Sequence, residues 1–247
     1  MTLEAENLKK AFGGLRAVDG VSFTASTGAI TCITGPNGAG KTTVFNMLTG
    51  FSAPDEGRIL LDGRDITALP PAARARAGIA RTFQNIRLLD DISALDNLIP
   101  ALHGEMNGSL ADTLLPTRRR ARALSEARGF ALEQLRFLGL ERYADMPAGK
   151  LPYGARKSLE IARCLCMKPR LMLMDEPASG LNTQEAYELG GMINRLDRER
   201  MIIIVIEHNM ALVRQIAGRV IHIDGGRLMY ELERKDWLSR MGEGRRA

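Results

Sequence analysis

The sequence feature that most constrains the fold is a glycine-rich octapeptide, Gly35-Pro36-Asn37-Gly38-Ala39-Gly40-Lys41-Thr42. It fits the pattern G-x-x-x-x-G-K-[ST], between an apolar segment typical of a strand (29–34) and one typical of a helix (41–49). Glycines let such a loop curl until successive N–H groups point at phosphate oxygens, and the helix adds its positive end. Lys41 is then expected to reach the β- and γ-phosphates of a nucleotide, and the Thr42 hydroxyl to bind Mg²⁺. The octapeptide therefore predicts nucleotide binding.

Two further apolar runs end in polar side chains suited to the same site. Residues 171–174 precede Asp175 and Glu176, and residues 201–206 precede His208. Because the carboxyl ends of parallel strands face one crevice, these side chains should meet the nucleotide. Asp175 is expected to hold Mg²⁺, Glu176 to polarise the attacking water, and His208 to donate to the γ-phosphate. The alternative is structural, since acidic residues and histidines also cap helices.

The order of segments predicts an α/β chain. Continuous apolar runs suit strands of a mainly parallel sheet that is buried on both faces, with residues 183–200 as a crossover helix. The early strands predict an N-terminal antiparallel part. Residues 93–167 are rich in helix formers and predict an inserted helical subdomain. We expect one domain over 1–247, with an α/β core formed by 1–92 and 168–247.

Charge and cysteine content restrict the class of partner and site. The net charge is +5, which is compatible with nucleic acid or an anionic membrane. However, the basic residues are spread over several segments, so we expect no nucleic-acid partner. Three cysteines do not suggest a disulfide framework. No apolar run approaches the roughly 20 residues that cross a bilayer, so a membrane association would come through a partner.

The complete order of motifs resembles the ATP-binding subunits of ABC transporters, from residue 3 to about residue 230. After the octapeptide, Gln84 stands in the Q-loop position and residues 151–155 in the signature position. The Asp175-Glu176 pair matches the Walker B motif, residues 179–182 match the D-loop, and His208 matches the switch histidine. Phe12 matches the aromatic residue that stacks on adenine; taken alone, Phe12 is more typical of a core residue.

The resemblance implies a P-loop NTPase fold of the ABC cassette type and a full set of site residues. The implied catalytic residues are Lys41, Gln84, Glu176 and His208, and the implied metal ligands are Thr42, Gln84 and Asp175. The implied nucleotide-binding residues are Phe12, Val18, Gly35, Pro36, Asn37, Gly38, Ala39, Gly40, Lys41, Thr42 and Thr43. The signature residues implied to complete the partner's site are Leu151, Pro152, Tyr153, Gly154 and Ala155.

Several stretches, including 12–18, 43–51, 81–88 and 206–210, look like the branched-chain amino acid uptake branch. Relatives of that branch import amides and urea. The resemblance implies ATP and Mg²⁺ as ligands and a second cassette, a distinct paralogue, that sandwiches two ATP molecules with this one. It also implies two transmembrane permease subunits, a periplasmic or extracellular solute-binding protein, and a place on the cytoplasmic face of the membrane.

The signature departs from the family pattern L-S-G-G-Q at Pro152 and Ala155. Proline has neither the hydroxyl nor the N–H that a serine would offer to phosphate. We therefore expect the site completed by this signature to be the weaker one. The departure keeps an alternative open, a regulatory cassette that binds nucleotide with little turnover of its own. At the divergent C-terminus we expect a short helix, with Trp237 packed on the core.

Overall fold

The computed structural model describes residues 1–83, 86–102 and 118–243, with side chains described for 121–240 of the last range. The chain divides into two compact units. The first unit is formed by residues 1–84 and 170–247, and the second by residues 85–169.

The described strands are β1 (Thr2–Phe12), β2 (Leu15–Ser26), β3 (Ile30–Thr34), β4 (Glu56–Leu61), β5 (Arg64–Asp65), β6 (Ile79–Arg81), β7 (Leu171–Asp175), β8 (Ile202–Ile206), β9 (Arg219–Asp224) and β10 (Arg227–Glu233). The described α-helices are α1 (Lys41–Thr49), α2 (Pro71–Arg76), α3 (Ala94–Leu98), α4 (Arg118–Phe137), α5 (Tyr153–Cys166), α6 (Thr183–Asn194), α7 (Met210–Ile216) and α8 (Arg234–Glu243). None of these helices is long and apolar enough to cross a membrane.

The N-terminal sheet of the first unit is antiparallel, with the order β2-β1-β4-β5 among the described strands. Along β1 the buried positions alternate at Leu3 and Ala5 and then shift to Leu8. The shift coincides with an irregularity in the pairing after Ala5 and with a positive φ of 48° at Asn7. A bulge of this kind explains why the apolar residues stay on one face although their spacing changes.

The central sheet of the first unit has the order β10-β9-β3-β8-β7-β6 among the described strands. The strands from β9 to β6 pair in parallel, and β10 closes the sheet as an antiparallel partner of β9. Every residue of β3, β7 and β8 is buried, as continuous apolar strands require when both faces are covered. The predicted α/β class, with a mainly parallel core and an N-terminal antiparallel part, is confirmed.

The crossover helix is shorter than predicted. Helix α6 ends at Asn194 rather than at Arg200. Beyond Asn194 the chain continues in tight turns, in which the N–H groups of Arg195 and Leu196 donate to the carbonyls of Met192 and Ile193 at 3.0 and 3.1 Å. The carbonyl of Arg198 then accepts a tertiary hydrogen bond from the N–H of Gly28 at 2.7 Å. The predicted C-terminal helix is present as α8, and Trp237 is buried at 1% exposure.

In the second unit, α4 and α5 bury apolar residues at helical spacing, including Ala131, Leu135, Leu159 and Ala162. Residues 86–92 have no regular structure. The Glu160 side chain of α5 accepts from the N–H of Arg87 at 2.8 Å, and Arg156 of α5 pairs with Asp90 at 2.5 Å. Helix α5 therefore holds this segment through side chains.

Candidate nucleotide site

The loop between β3 and α1 packs closely against the backbone of neighbouring strands. Gly35 has φ +145°, and a Cβ there would lie 1.9 Å from the carbonyl oxygen of Ile223. Gly40 has φ +97°, and a Cβ there would lie 2.3 Å from the carbonyl oxygen of Ala17. Neither contact is sterically possible, so glycine is required at both positions. The loop is therefore pressed against the ends of β9 and β2 in one curled conformation.

Helix α1 presents its N-terminal end to this loop. Its cap residue is Gly40, which makes no side-chain capping bond, and its first turn contains no acidic residue. The N–H groups of that turn therefore have no side-chain acceptor from the cap, which suits an anion. The Lys41 ammonium donates to the carbonyl oxygens of Gly35 at 2.8 Å and Pro36 at 2.7 Å. Burial lowers its pKa, whereas the charges of Glu176 and Asp175 oppose that shift.

The other predicted loop residues surround this helix end. Pro36, Asn37, Gly38 and Thr42 are exposed, Thr43 is half-buried, and Ala39 is buried. Val18 is 1% exposed, and its side chain lies behind Gly40, 3.4 Å from the position of a Cβ there. Phe12 is 55% exposed at the end of β1, with the Lys10 ammonium 5.7 Å from its ring centroid. Phe12 is thus not a core residue, and its ring is available for stacking.

Asp175 is the last residue of β7 and is buried. Its Oδ2 lies 2.6 Å from the Arg81 guanidinium, and both side chains are less than a tenth exposed. Arg81 also donates to Asn46 on α1 at 2.7 Å. The N–H of Asp175 donates to the Thr82 hydroxyl at 3.3 Å. The carboxylate is thereby held at the carboxyl end of its strand, with one oxygen paired to a cation.

Glu176 and His208 follow the adjacent strands β7 and β8 and lie side by side. The Nδ1 atom of His208 is 3.7 Å from Glu176 Oε1. The Glu176 side chain is 16% exposed and that of His208 is 56% exposed. Glu176 has φ +47°, a conformation that non-glycine residues rarely adopt. The structure therefore brings together the carboxylate and imidazole that the sequence predicted at neighbouring strand ends.

Two buried charged residues that contact this site were missed by sequence reasoning. Arg81 pairs with Asp175, and Glu207 accepts hydrogen bonds from the N–H groups of Ala178, His208 and Asn209. Glu207 is completely buried. A charged residue directly after an apolar run is the signal that could have found it, because a buried charge requires specific partners.

The comparisons with known proteins identify the family. The family model described as ABC transporter matches residues 18–179, which include the glycine-rich loop, Asp175 and Glu176. The chain belongs to the ABC transporter family. It is an ABC cassette ATPase with the nucleotide-binding domain of that family.

Individual ABC relatives cover nearly the whole chain. It is 42% identical over 225 residues to the high-affinity branched-chain amino acid transport ATP-binding protein BraF of Pseudomonas aeruginosa, covering 91% of this chain and 88% of BraF. The corresponding protein LivG of Escherichia coli is 41% identical with the same coverage. The solved ADP conformation of MJ1267, an ATP-binding cassette of an ABC transporter, is 34% identical with a TM-score of 0.82, covering 97% of this chain and 95% of that one.

The predicted ABC signature lies in the second unit, at the start of α5. Pro152 is the cap residue, with φ −53° and no side-chain capping bond, and Tyr153 begins the helix. Leu151 is buried, Tyr153 is 45% exposed, and Gly154 and Ala155 are half-buried. Gln84 lies outside the described residues.

Proposed function

We propose that this chain is the ATP-binding and ATP-hydrolysing subunit of an importer for branched-chain or related amino acids, amides or urea. The observation that carries the catalytic part is the convergence of three strand ends. Lys41 follows the end of β3, His208 follows β8, and Glu176 follows β7, and β3, β8 and β7 are neighbours in one sheet. The amino-acid part rests on the similarity to BraF and LivG.

The phosphates of ATP would bind to the N–H groups of the loop and of the first turn of α1, with Lys41 at the β- and γ-phosphates. Lys41 would exchange its two loop carbonyl partners for phosphate oxygens. Phe12 would stack on the adenine ring. Val18 would support the loop by packing against it, because its side chain is buried next to Gly40.

The residues around the phosphates fit Mg²⁺, which prefers hard oxygen ligands. Thr42 is exposed in the first turn of α1, and Asp175 has a second carboxylate oxygen besides the one paired with Arg81. Bound there with Gln84, the metal would neutralise charge on the β- and γ-phosphate oxygens.

Hydrolysis requires the protein mainly to position groups and to stabilise charge. Glu176 would orient and polarise the attacking water, and His208 would donate a hydrogen bond to the γ-phosphate. A distinct paralogous cassette would sandwich each nucleotide against a signature. In that pair, Leu151, Pro152, Tyr153, Gly154 and Ala155 would complete the partner's site, and Pro152 and Ala155 would weaken it.

The assembly would also include two permease subunits and a periplasmic or extracellular solute-binding protein. The cassette would sit on the cytoplasmic face of the membrane through the permeases. No nucleic-acid partner is proposed.

The test is the Glu176→Gln variant in the purified, assembled transporter. ATPase activity should fall to the contribution of the partner cassette, because the amide cannot polarise water as a carboxylate does. MgATP binding should persist, because the phosphate loop is unchanged. Glu188→Gln, an exposed exchange on α6, is the matched control. Unchanged ATPase in E176Q would favour the regulatory cassette. Stimulation by the binding protein loaded with leucine, an amide or urea identifies the solute class.

A further inference from the structure

Glu207 is a buried carboxylate that accepts three hydrogen bonds from backbone N–H groups. Its side chain has no solvent exposure. Oε1 accepts from Ala178 at 2.8 Å, and Oε2 accepts from His208 and Asn209 at 3.0 Å each. All of these residues belong to the first unit. Hydrogen bonds to an ionised acceptor are among the strong ones, so the carboxylate ties these N–H groups firmly to one point.

The three N–H groups belong to the two segments that carry Glu176 and His208. Ala178 lies in a turn in which the N–H of Ser179 donates to the carbonyl of Glu176 at 3.0 Å. Glu176 has φ +47° in this turn, a conformation that persists only when the surroundings hold it. Glu207 therefore fastens the turn that carries Glu176 to the loop that carries His208.

We propose that Glu207 is a positioning residue for ATP hydrolysis, and that it acts by fixing the Glu176 carboxylate and the His208 imidazole relative to each other. Their observed separation is 3.7 Å. The proposal rests on the proposed roles of Glu176 and His208. Glu207 itself is completely buried and accepts from its own chain, so it acts through the other two residues.

The requirement is for a carboxylate, not only for a side chain of this size. Two oxygens of a carboxylate can accept from all three N–H groups, whereas glutamine has one oxygen and an NH₂ group that only donates. In either amide orientation, an NH₂ group faces at least one backbone N–H. The backbone bonds from the Glu207 N–H to Ile33 (3.2 Å) and from the Glu176 N–H to Ile206 (3.0 Å) remain in place. Glu207→Gln therefore disturbs the turn while the sheet keeps its anchors.

The experiment measures ATPase kinetics of the assembled transporter carrying E207Q. The rate that remains in E176Q is subtracted as the contribution of the partner cassette. We expect kcat to fall about 10- to 100-fold, the usual effect of a small misplacement of reacting groups. KM for ATP and MgATP affinity should stay within about twofold, because the phosphate loop is unchanged. Glu188→Gln, the exposed exchange on α6, should retain wild-type kcat.

A double variant separates positioning from a general structural effect. In the His208→Ala background, E207Q should reduce the residual rate by less than about twofold, because residues that act as a unit are non-additive. The proposal would be overturned if E207Q lowered ATP affinity and Tm together with kcat. It would also be overturned if the fold-losses in kcat of E207Q and H208A simply multiplied in the double variant. Loss of activity in E176Q with normal kcat in E207Q would overturn this inference alone, whereas normal activity in E176Q would overturn the proposed function.

Discussion

Arg81 and Asp175 form a buried ion pair whose energetic weight can be compared with that of an exposed pair in the same chain. The Arg81–Asp175 distance is 2.6 Å with side chains 7% and 5% exposed, and the Arg58–Glu6 distance is 2.8 Å with side chains 65% and 42% exposed. The contacts are similar in length, so burial is the main difference. Arg81→Met keeps most of the packing between Phe45 and Phe83 but leaves a buried carboxylate without its cation.

Removing one member of a buried pair costs about 3–5 kcal/mol, whereas an exposed pair contributes about 0–1 kcal/mol. For a chain of this size, the first figure corresponds to a decrease of roughly 6–20 °C in Tm. Urea unfolding followed by circular dichroism measures the free energy of unfolding of Arg81→Met and of Arg58→Met, the variant of the exposed pair. The midpoints are compared at constant m-value. Combining R81M with Asp175→Asn should recover part of the loss, because no unpaired charge remains. An R81M variant as stable as Arg58→Met would refute the reasoning.

Three further outcomes are expected. Burial raises the pKa of Cys164 and Cys166 to about 12 and also raises the pKa of Cys32, so a thiol reagent at pH 8 should label the chain slowly until denaturant exposes all three thiols. Gly40→Ala should abolish MgATP binding in a fluorescent-nucleotide titration, because the added Cβ would meet the Ala17 carbonyl. Pro152→Ser should tighten nucleotide binding at the partner's site by up to about 30-fold in the assembled transporter, since it restores a hydroxyl; no change there would contradict the predicted weakness.

The parts of the fold and site that the sequence predicts are those that local chemistry determines. The glycine-rich loop is recognisable because its spacing serves phosphate binding, and β3, β7 and β8 because they are continuous apolar runs. Arg81 and Glu207 were missed because a buried charge in a single sequence leaves no periodic pattern; its partners become visible only after folding. The predicted end of α6 was wrong because the chain leaves the helix after Asn194 through tight turns, and helix propensity alone does not predict where tertiary structure interrupts a helix.

The geometry at Pro152 reduces the loss of nucleotide affinity that we expect from having proline instead of serine in the signature. A serine at the cap of α5 would bond its own helix N–H groups, and a phosphate would have to displace that bond, which is worth about 1 kcal/mol. Pro152 makes no such bond, and the first turn of α5 contains no acidic residue, so no side-chain cap competes with a phosphate at this helix end. The lost hydroxyl contact, about 1.5–3 kcal/mol, is therefore offset in part. We therefore predict that this site is weakened by about 0.5–2 kcal/mol, which is roughly 2- to 30-fold in affinity, rather than by two orders of magnitude.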